Sequence, residues 1–256
     1  MPCNETYTHY LVNRFNTRNR LLACNNNRLN IKGYWKSHNG SVKLTKKIVM
    51  SEESQSKKDF PSWDNLYKSQ NVETMPWYNK NLDSDLEEEL EKRKITKGRI
   101  LDLGTGPATQ AVQLYKKGLQ VIGSDVSEAA INRAREVYVH DKNKKISFIV
   151  DDILNSEIND KSFDYVFDRG CFHVLPIEMR PVYIREIKRI LDDNGILFLK
   201  CFSTKEPRQE GPYKFSEDGI KQLFRDYFVI ISVKDTVYQG TLDPLPKALF
   251  VVMNKR

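Results

Sequence analysis

The chain has few cysteines and no long apolar run. Its 256 residues contain four cysteines, none of them in a CxxC pair: Cys3, Cys24, Cys171 and Cys201. This spacing predicts neither a zinc site nor a disulfide framework, and we expect reduced thiols in a cytoplasmic protein. No stretch approaches the roughly 18 apolar residues that a membrane-spanning helix requires, so we expect a soluble protein without a membrane partner.

The net positive charge of the chain comes from its N-terminal segment. The formal net charge is +7, but residues 1–58 contain 11 Lys/Arg and 3 Asp/Glu, whereas residues 59–256 contain 30 and 31. A core with a net charge of −1 lacks the basic face that phosphate-rich partners require. We therefore expect no nucleic-acid partner for the core, and only a weak contact through the N-terminal segment.

Residues 1–58 are rich in Asn, Arg, Lys and Ser and show no sustained helical or strand period. This composition predicts a disordered basic extension. Three interpretations stay open. The segment could be an Arg-rich targeting peptide, a basic tail that contacts nucleic acid or anionic lipid, or sequence that precedes a translation start at Met50.

Residues 59–256 form one predicted domain, with a lid and a helix over residues 59–94 and a core over residues 95–256. Aromatic side chains are concentrated in the lid, at Trp63, Tyr67 and Trp77. Residues 82–94 follow with an amphipathic pattern that has acids first and bases last, which predicts a helix covering the first strand.

Short apolar runs alternate with amphipathic patterns along the core. The predicted strands cover residues 98–103, 119–125, 145–152, 163–168 and 196–202, and the predicted helices cover residues 107–117, 127–139, 181–191 and 216–226. This alternation predicts an α/β, Rossmann-like fold with a mostly parallel sheet and helices on both faces. The apolar runs at 228–238 and 247–254 are joined only by QGTLDPLP, so they should pair as antiparallel neighbours. The DDNG sequence at 192–195 predicts a tight turn.

A glycine-rich loop follows the first predicted strand. In LDLGTG, at residues 101–106, Gly104 and Gly106 allow the backbone to approach a ligand closely, and Thr105 lies between them. The carboxylate of Asp102 would repel a pyrophosphate but attract the ammonium group of S-adenosylmethionine. The loop therefore favours a sulfonium cofactor over a dinucleotide.

Two further acids follow the second and third strands. Asp125, which Val126 follows, can accept hydrogen bonds from both hydroxyls of a ribose. Asp152 can accept from an adenine amino group while Ile153 packs on the ring. These positions alone do not separate S-adenosylmethionine from NAD.

The successive motifs LDLGTG, VIGSD, FIVDD and SFDYVFD resemble those of class I S-adenosylmethionine-dependent methyltransferases, over roughly residue 59 to the C-terminus. The resemblance implies a seven-stranded sheet of order 3214576 with strand 7 antiparallel. The family's third motif glycine is replaced here by Ala108.

Two segments resemble a small-molecule branch of that family, which is similar to thiopurine, thiol, halide and tellurite-resistance enzymes. They are DRGCFHVLP at residues 168–176 and SWDNLYKSQNVETMPWY at residues 62–78, where members often have PWD in place of PWY. The resemblance implies a small methyl acceptor, in particular a soft nucleophile such as a thiol, chalcogen, metalloid or halide. An NPPY-like tetrad, typical of enzymes that methylate amino groups of bases, is absent.

Candidate site residues follow from these motifs. Trp63, Tyr67 and Trp77 could contact a sulfonium, since a cation over an aromatic face gains roughly 0.5 to 2 kcal/mol. His173 is a candidate base or orienting residue, and its alternative role is to bond the loop backbone. Asp168 could fix this loop or the methionine end of the cofactor.

Other functions stay open at this point. The acceptor could be an oxygen or nitrogen atom of a small metabolite. The chain could instead be an NAD(P)-dependent oxidoreductase, or a methyltransferase-like module that the basic N-terminus recruits to RNA. The sequence does not predict the oligomeric state.

Overall fold

The computed structural model describes residues 55, 57–138 and 145–256. The helices are α1 (Trp63–Ser69), α2 (Ser84–Lys92), α3 (Thr109–Lys116), α4 (Glu128–Val137), α5 (Arg180–Ile190) and α6 (Glu217–Phe224). The strands are β1 (Arg99–Leu103), β2 (Gln120–Asp125), β3 (Ile146–Val150), β4 (Phe163–Arg169), β5 (Leu191–Ser203), β6 (Lys214–Phe215), β7 (Phe228–Val237) and β8 (Lys247–Lys255). Every helix and strand predicted for the core is present.

Seven of the strands form one path in the order β3-β2-β1-β4-β5-β8-β7, and β6 pairs with β5 outside this path. Neighbours among β1 to β5 are parallel, whereas β8 is antiparallel to both β5 and β7. Without the two-residue β6, this is the order 3214576 with an antiparallel strand 7, so the predicted fold class is confirmed. The carboxyl ends of β1, β2 and β4 meet at one edge of the sheet.

Helices cover both faces of the sheet, because alternate side chains of each strand point to opposite faces. On one face Leu86 of α2 and Leu114 of α3 are buried in a core cluster with Ile100 of β1. On the other face Ile187 of α5 is buried in a second cluster with Leu101 of β1. These two cores hold the strand ends, and therefore the loops beyond them, in fixed positions.

The DDNG sequence does not form the predicted tight turn between a helix and a strand. Residues 191–203 are continuous β5, and the register shifts between the Phe163–Leu191 and Tyr165–Ile196 pairs. The extra residues of β5 therefore form a bulge. The pairing of Leu191 with β4 extends the strand past residues whose local preference is a turn.

The lid packs on the beginning of α4. Asp64 of α1 accepts hydrogen bonds from the Ser127 hydroxyl (3.2 Å) and from the Ala129 amide (2.9 Å). Tyr67 and Met75 are buried in a cluster with Ala130. The aromatic segment thus lies next to the edge where β1 and β2 end.

Most of the predicted N-terminal extension, and the three interpretations of it, lie outside the described residues. Among the described residues, Gln55 already contacts the domain: its side-chain amide donates to the Lys214 carbonyl (2.7 Å) and accepts from the Lys214 amide (3.0 Å). Within the described part of the chain, no helix is long and apolar enough to cross a membrane.

Candidate active site

The candidate residues come together at the carboxyl edge of the sheet. Leu103 at the end of β1 is in register with Ser124 of β2 and with Asp168 of β4. The loops that follow these strands, which carry the predicted glycines and carboxylates, are therefore adjacent. This is the position at which open α/β sheets bind ligands.

The glycine loop has the backbone conformation that its sequence predicts. Gly104 and Gly106 have φ values of +67° and +52°, where side chains are disfavoured. A Cβ atom on Gly106 would lie 2.6 Å from the Tyr67 hydroxyl. Ala108, which replaces the third glycine of the family, also has a positive φ of +65°. The Tyr67 hydroxyl therefore lies in the space that a side chain at position 106 would need.

Asp102 is buried beneath this loop. Its side chain accepts a hydrogen bond of 2.6 Å from the Thr105 hydroxyl, and only 2% of the residue is exposed. Burial raises the pKa of this carboxyl from 3.8 to about 7, while Thr105 and the nearby cation of Arg169 act in the opposite direction. A cationic ligand beside Asp102 would favour the ionised form.

Asp125 holds the same loop from the end of β2. One carboxylate oxygen accepts from the Gly106 amide (3.0 Å) and the other from the Ser127 amide (2.9 Å). Burial raises the pKa of Asp125, and these amides counteract the rise. The neighbouring Val126 is 54% exposed, so an apolar surface lies beside the loop.

The two residues predicted to contact adenine differ in their exposure. Asp152 is partly exposed and accepts a hydrogen bond from the Leu154 amide (3.0 Å) at the start of a short helical turn. Ile153 is 4% exposed and packs in the core cluster on the α5 face of the sheet. In this arrangement the Ile153 side chain packs on the core.

Asp168 organises the loop after β4. Its carboxylate accepts hydrogen bonds from the amides of Gly170, Cys171 and Phe172 and from the Tyr183 hydroxyl, at 2.6 to 2.9 Å. Burial raises the pKa of Asp168 to about 6, and the four donors act in the opposite direction. Four donors fill the hydrogen-bonding capacity of this carboxylate. Asp168 thereby connects β4 to the loop that follows it and to α5.

His173 is buried in the same loop and is bonded to backbone. Its Nδ1 accepts a hydrogen bond from the Phe202 amide (3.2 Å), and its ring stacks on Tyr238 at 5.5 Å. Burial and the Arg169 cation lower the pKa of His173 to about 3. The imidazole is therefore neutral at physiological pH, with its proton on Nε2 because Nδ1 accepts.

The three aromatic residues of the lid are close to one another and to the loop. Trp63 packs edge-on against Trp77 at 5.9 Å, and Trp77 and Tyr67 belong to one apolar cluster. One cleft is lined by Tyr67 and Trp77 together with Asp102 and the glycine loop. Arg169 lines this cleft as well.

The prediction from sequence missed a buried ionic network beside the cleft. Arg169 and Lys200, with 7% and 0% of their side chains exposed, both bind the carboxylate of Asp83. Lys200 also binds Asp85 (2.7 Å), and Gln239 completes the network. A signal was present in the sequence, because Lys200 is a charged residue within the otherwise apolar ILFLKCFS of β5.

The residues of the cleft fit S-adenosylmethionine. The positive φ values of Gly104 and Gly106 shape the loop, with the Tyr67 hydroxyl packed against Gly106, and Asp102 offers a carboxyl group to an ammonium or sulfonium. Asp125 places a second carboxylate at the end of the next strand. Aromatic faces of Tyr67 and Trp77 suit an onium ligand.

Comparison with known proteins assigns the core to methyltransferases. Residues 100–195 match a family described as "Methyltransferase domain". The uncharacterized methyltransferase C750.03c of Schizosaccharomyces pombe is 31% identical over 132 residues, which are 48% of this chain and 90% of that protein. A structure of an S-adenosylmethionine-dependent methyltransferase from Anabaena variabilis superposes with a TM-score of 0.62 at 21% identity, covering 78% of this chain and 98% of that one.

Other relatives act on different acceptors, as their names state. Thiocyanate methyltransferase 1 of Brassica oleracea is 27% identical over 143 residues, 55% of this chain and 63% of that protein. EEF1A lysine methyltransferase 2 of Danio rerio is 30% identical over 115 residues, 42% of this chain and 49% of that protein. The match to the first curated relatives spans about half to two thirds of their length. The fold, the loop and these relatives together show that the chain belongs to the class I S-adenosylmethionine-dependent methyltransferases.

Proposed function

We propose that this chain transfers the methyl group of S-adenosylmethionine to a small, soft nucleophile such as a thiol, a chalcogen or metalloid anion, or a halide-like anion. The observation that carries the proposal is the state of the polar groups at the carboxyl edge of the sheet. The acceptor atoms of Asp125, Asp168 and His173 are engaged in hydrogen bonds within the chain.

The engaged histidine argues against general-base catalysis. His173 would have to give up its bond to the Phe202 amide in order to take a proton on Nδ1, and its low pKa disfavours a second proton at neutral pH. We therefore assign a structural role to His173 in place of the base role that its sequence suggested. Asp168 is assigned in the same way as a positioning residue of the loop.

An acceptor that needs no base fits such a site. A thiol ionises appreciably near neutrality, since its ordinary pKa is about 8.5, whereas an alcohol or an amine must first lose a proton. The protein then has mainly to orient the acceptor, an effect that can contribute about 7 to 11 kcal/mol. Arg169 also lines the cleft, and its positive charge would attract an anionic acceptor.

S-adenosylmethionine, when bound, supplies a methyl group with a good leaving group. We assign Asp102, Gly104, Thr105, Gly106 and Asp125 to the contacts that hold it. Tyr67 and Trp77 would exclude water from the cleft, because both line it, and Trp63 packs against Trp77. Val126 offers the exposed apolar surface next to the loop.

The relatives support two acceptor classes. The similarity to a thiocyanate methyltransferase favours a soft anion. The similarity to a protein lysine methyltransferase offers a second candidate, a lysine side chain. With an ordinary pKa of about 10.4, a lysine must lose a proton before it attacks, and Asp125, Asp168 and His173 are already engaged in hydrogen bonds within the chain.

A panel of acceptors tests the proposal. The full chain is incubated with S-adenosylmethionine and one of a thiophenol, thiocyanate, iodide, selenide, a phenol, a primary amine or a lysine peptide, and S-adenosylhomocysteine is quantified. We expect turnover with the sulfur, selenium or halide compounds and at least about a hundredfold less with the others. Equal or faster turnover of the phenol, the amine or the peptide would contradict the assigned acceptor class.

A further inference from the structure

We propose that Arg169 is a positioning residue that holds the Trp77 segment of the lid over the cofactor cleft, an inference that rests on the proposed function. Its guanidinium connects three separate parts of the chain. Nε donates to Asp83 (3.0 Å), Nη1 donates to the Trp77 carbonyl (2.9 Å), and Nη2 donates to the Gln239 carbonyl. One side chain at the end of β4 thus joins the lid, the start of α2 and the segment after β7.

A second buried cation fixes the partners of Arg169. The Lys200 ammonium donates to both oxygens of Asp83 (2.8 and 2.7 Å) and to the Gln239 side chain (2.9 Å). Asp83 also begins α2, where its carboxylate accepts from the Asp85 amide (3.1 Å). Lys200 of β5 therefore fixes Asp83 and Gln239, two of the residues that Arg169 contacts, and so defines the position of the guanidinium.

Tyr238 holds Arg169 from the remaining side. The guanidinium lies 4.5 Å from the centre of the Tyr238 ring, and the Tyr238 hydroxyl donates to the Arg169 carbonyl (2.6 Å). The same ring stacks on His173. Arg169 and Tyr238 therefore connect the loop after β4 to the lid, whose residue Trp77 lines the cleft.

The contacts require an arginine. A planar guanidinium can donate in three divergent directions while it stacks on an aromatic face, whereas a lysine ammonium is a compact charge at the end of a flexible chain. Arg169→Lys keeps the charge that neutralises Asp83 but cannot make all three contacts. Lys200 bonds Asp83 and Gln239, whereas the Trp77 carbonyl is bonded by Arg169, so this substitution should release the lid.

Arg189→Lys is the matched control. Arg189 of α5 also donates to two carbonyls, those of Ile158 (2.6 Å) and Ser156 (3.2 Å), and pairs with carboxylates. The two substitutions remove the same chemical features at different places. Only Arg169→Lys should change the exposure of Trp77 in the cleft.

The experiment measures acrylamide quenching of Trp77 fluorescence in the full chain with Trp35→Phe and Trp63→Phe. We expect Arg169→Lys to raise the quenching constant about twofold or more and Arg189→Lys to leave it unchanged. Tyr238→Phe, which keeps the ring and loses the bond to the Arg169 carbonyl, should give a smaller rise. Unchanged quenching in both Arg169→Lys and Tyr238→Phe would overturn the proposal.

Kinetics provide the second readout. With the acceptor that the wild-type chain uses, Arg169→Lys should raise the acceptor KM about tenfold or more, and the loss should disappear when both proteins carry Trp77→Ala. Additive losses would show a general effect on stability and contradict the inference. Failure of the wild-type chain to methylate any acceptor would refute the proposed function, while the quenching experiment would still decide whether Arg169 holds the lid.

Discussion

Replacement of Asp102 by asparagine removes a buried charge and preserves the shape of the side chain. The amide oxygen can still accept the hydrogen bond that the Thr105 hydroxyl donates to Asp102. In the wild-type chain, burial raises the pKa of this carboxyl from 3.8 to about 7, which corresponds to at most about 4 kcal/mol of lost stability when the group is ionised. We therefore expect Asp102→Asn to increase the free energy of unfolding by up to about 4 kcal/mol near pH 8.

The pH dependence gives the sign of this effect. Because the pKa in the folded state lies above its value in the unfolded state, the destabilisation is absent below about pH 4, grows as the pH rises to about 7, and is constant above that pH. Urea unfolding of both proteins across this range measures the difference. Asp164→Asn is the matched control, since the hydrogen bond from Arg99 lowers the pKa of Asp164 and its loss should destabilise the chain above about pH 4.

Asp102→Asn should also weaken cofactor binding. A hydrogen bond to a charged group contributes roughly 1.5 to 3 kcal/mol, so calorimetric titration with S-adenosylmethionine should show about a tenfold to 150-fold loss of affinity near pH 8. Asp164→Asn should bind with wild-type affinity. A less stable Asp102→Asn protein, or one that binds S-adenosylmethionine as tightly as the wild type, would refute the role we give to this carboxylate.

Two further substitutions test the loop after β4. His173→Leu leaves the Phe202 amide without its acceptor, so the free energy of unfolding should fall by about 1 to 3 kcal/mol in urea titrations, while the pH dependence of turnover stays as in the wild type; a displaced pH profile would restore His173 as a base. Asp168→Ala leaves the amides of Gly170, Cys171 and Phe172 without their acceptor, and should lower stability by at least about 2 kcal/mol near pH 7; an unchanged melting curve would contradict this.

Local sequence patterns were sufficient to predict the frame of the site. The alternation of apolar runs with helical patterns predicts the parallel sheet, and the absence of a helix between β7 and β8 predicts their antiparallel pairing. The glycines of LDLGTG predict a loop directly after the first strand, and Gly104 and Gly106 follow β1 there with positive φ values. These features depend on residues that are close together along the chain.

Features that depend on distant pairings were not predictable in this way. Arg169 and Asp83 are 86 residues apart, and Lys200 is 117 residues from Asp83. The charged Lys200 within an apolar run indicates a buried charge, but no local pattern identifies its partners. The DDNG turn fails for a similar reason, because pairing with β4 extends β5 through it. The state of His173 depends on burial and on Phe202, which its own neighbours along the chain do not reveal.

In the proposed reaction, the acceptor reaches the cleft as a nucleophile that needs no base from the protein. The measurement that tests it most directly is kcat/KM for a series of thiophenols of different pKa, as a function of pH and at saturating S-adenosylmethionine. We predict that the inflection of each profile follows the pKa of the thiol used. A single inflection at the same pH for every thiol would show that a group of the protein removes the proton, and would contradict the account.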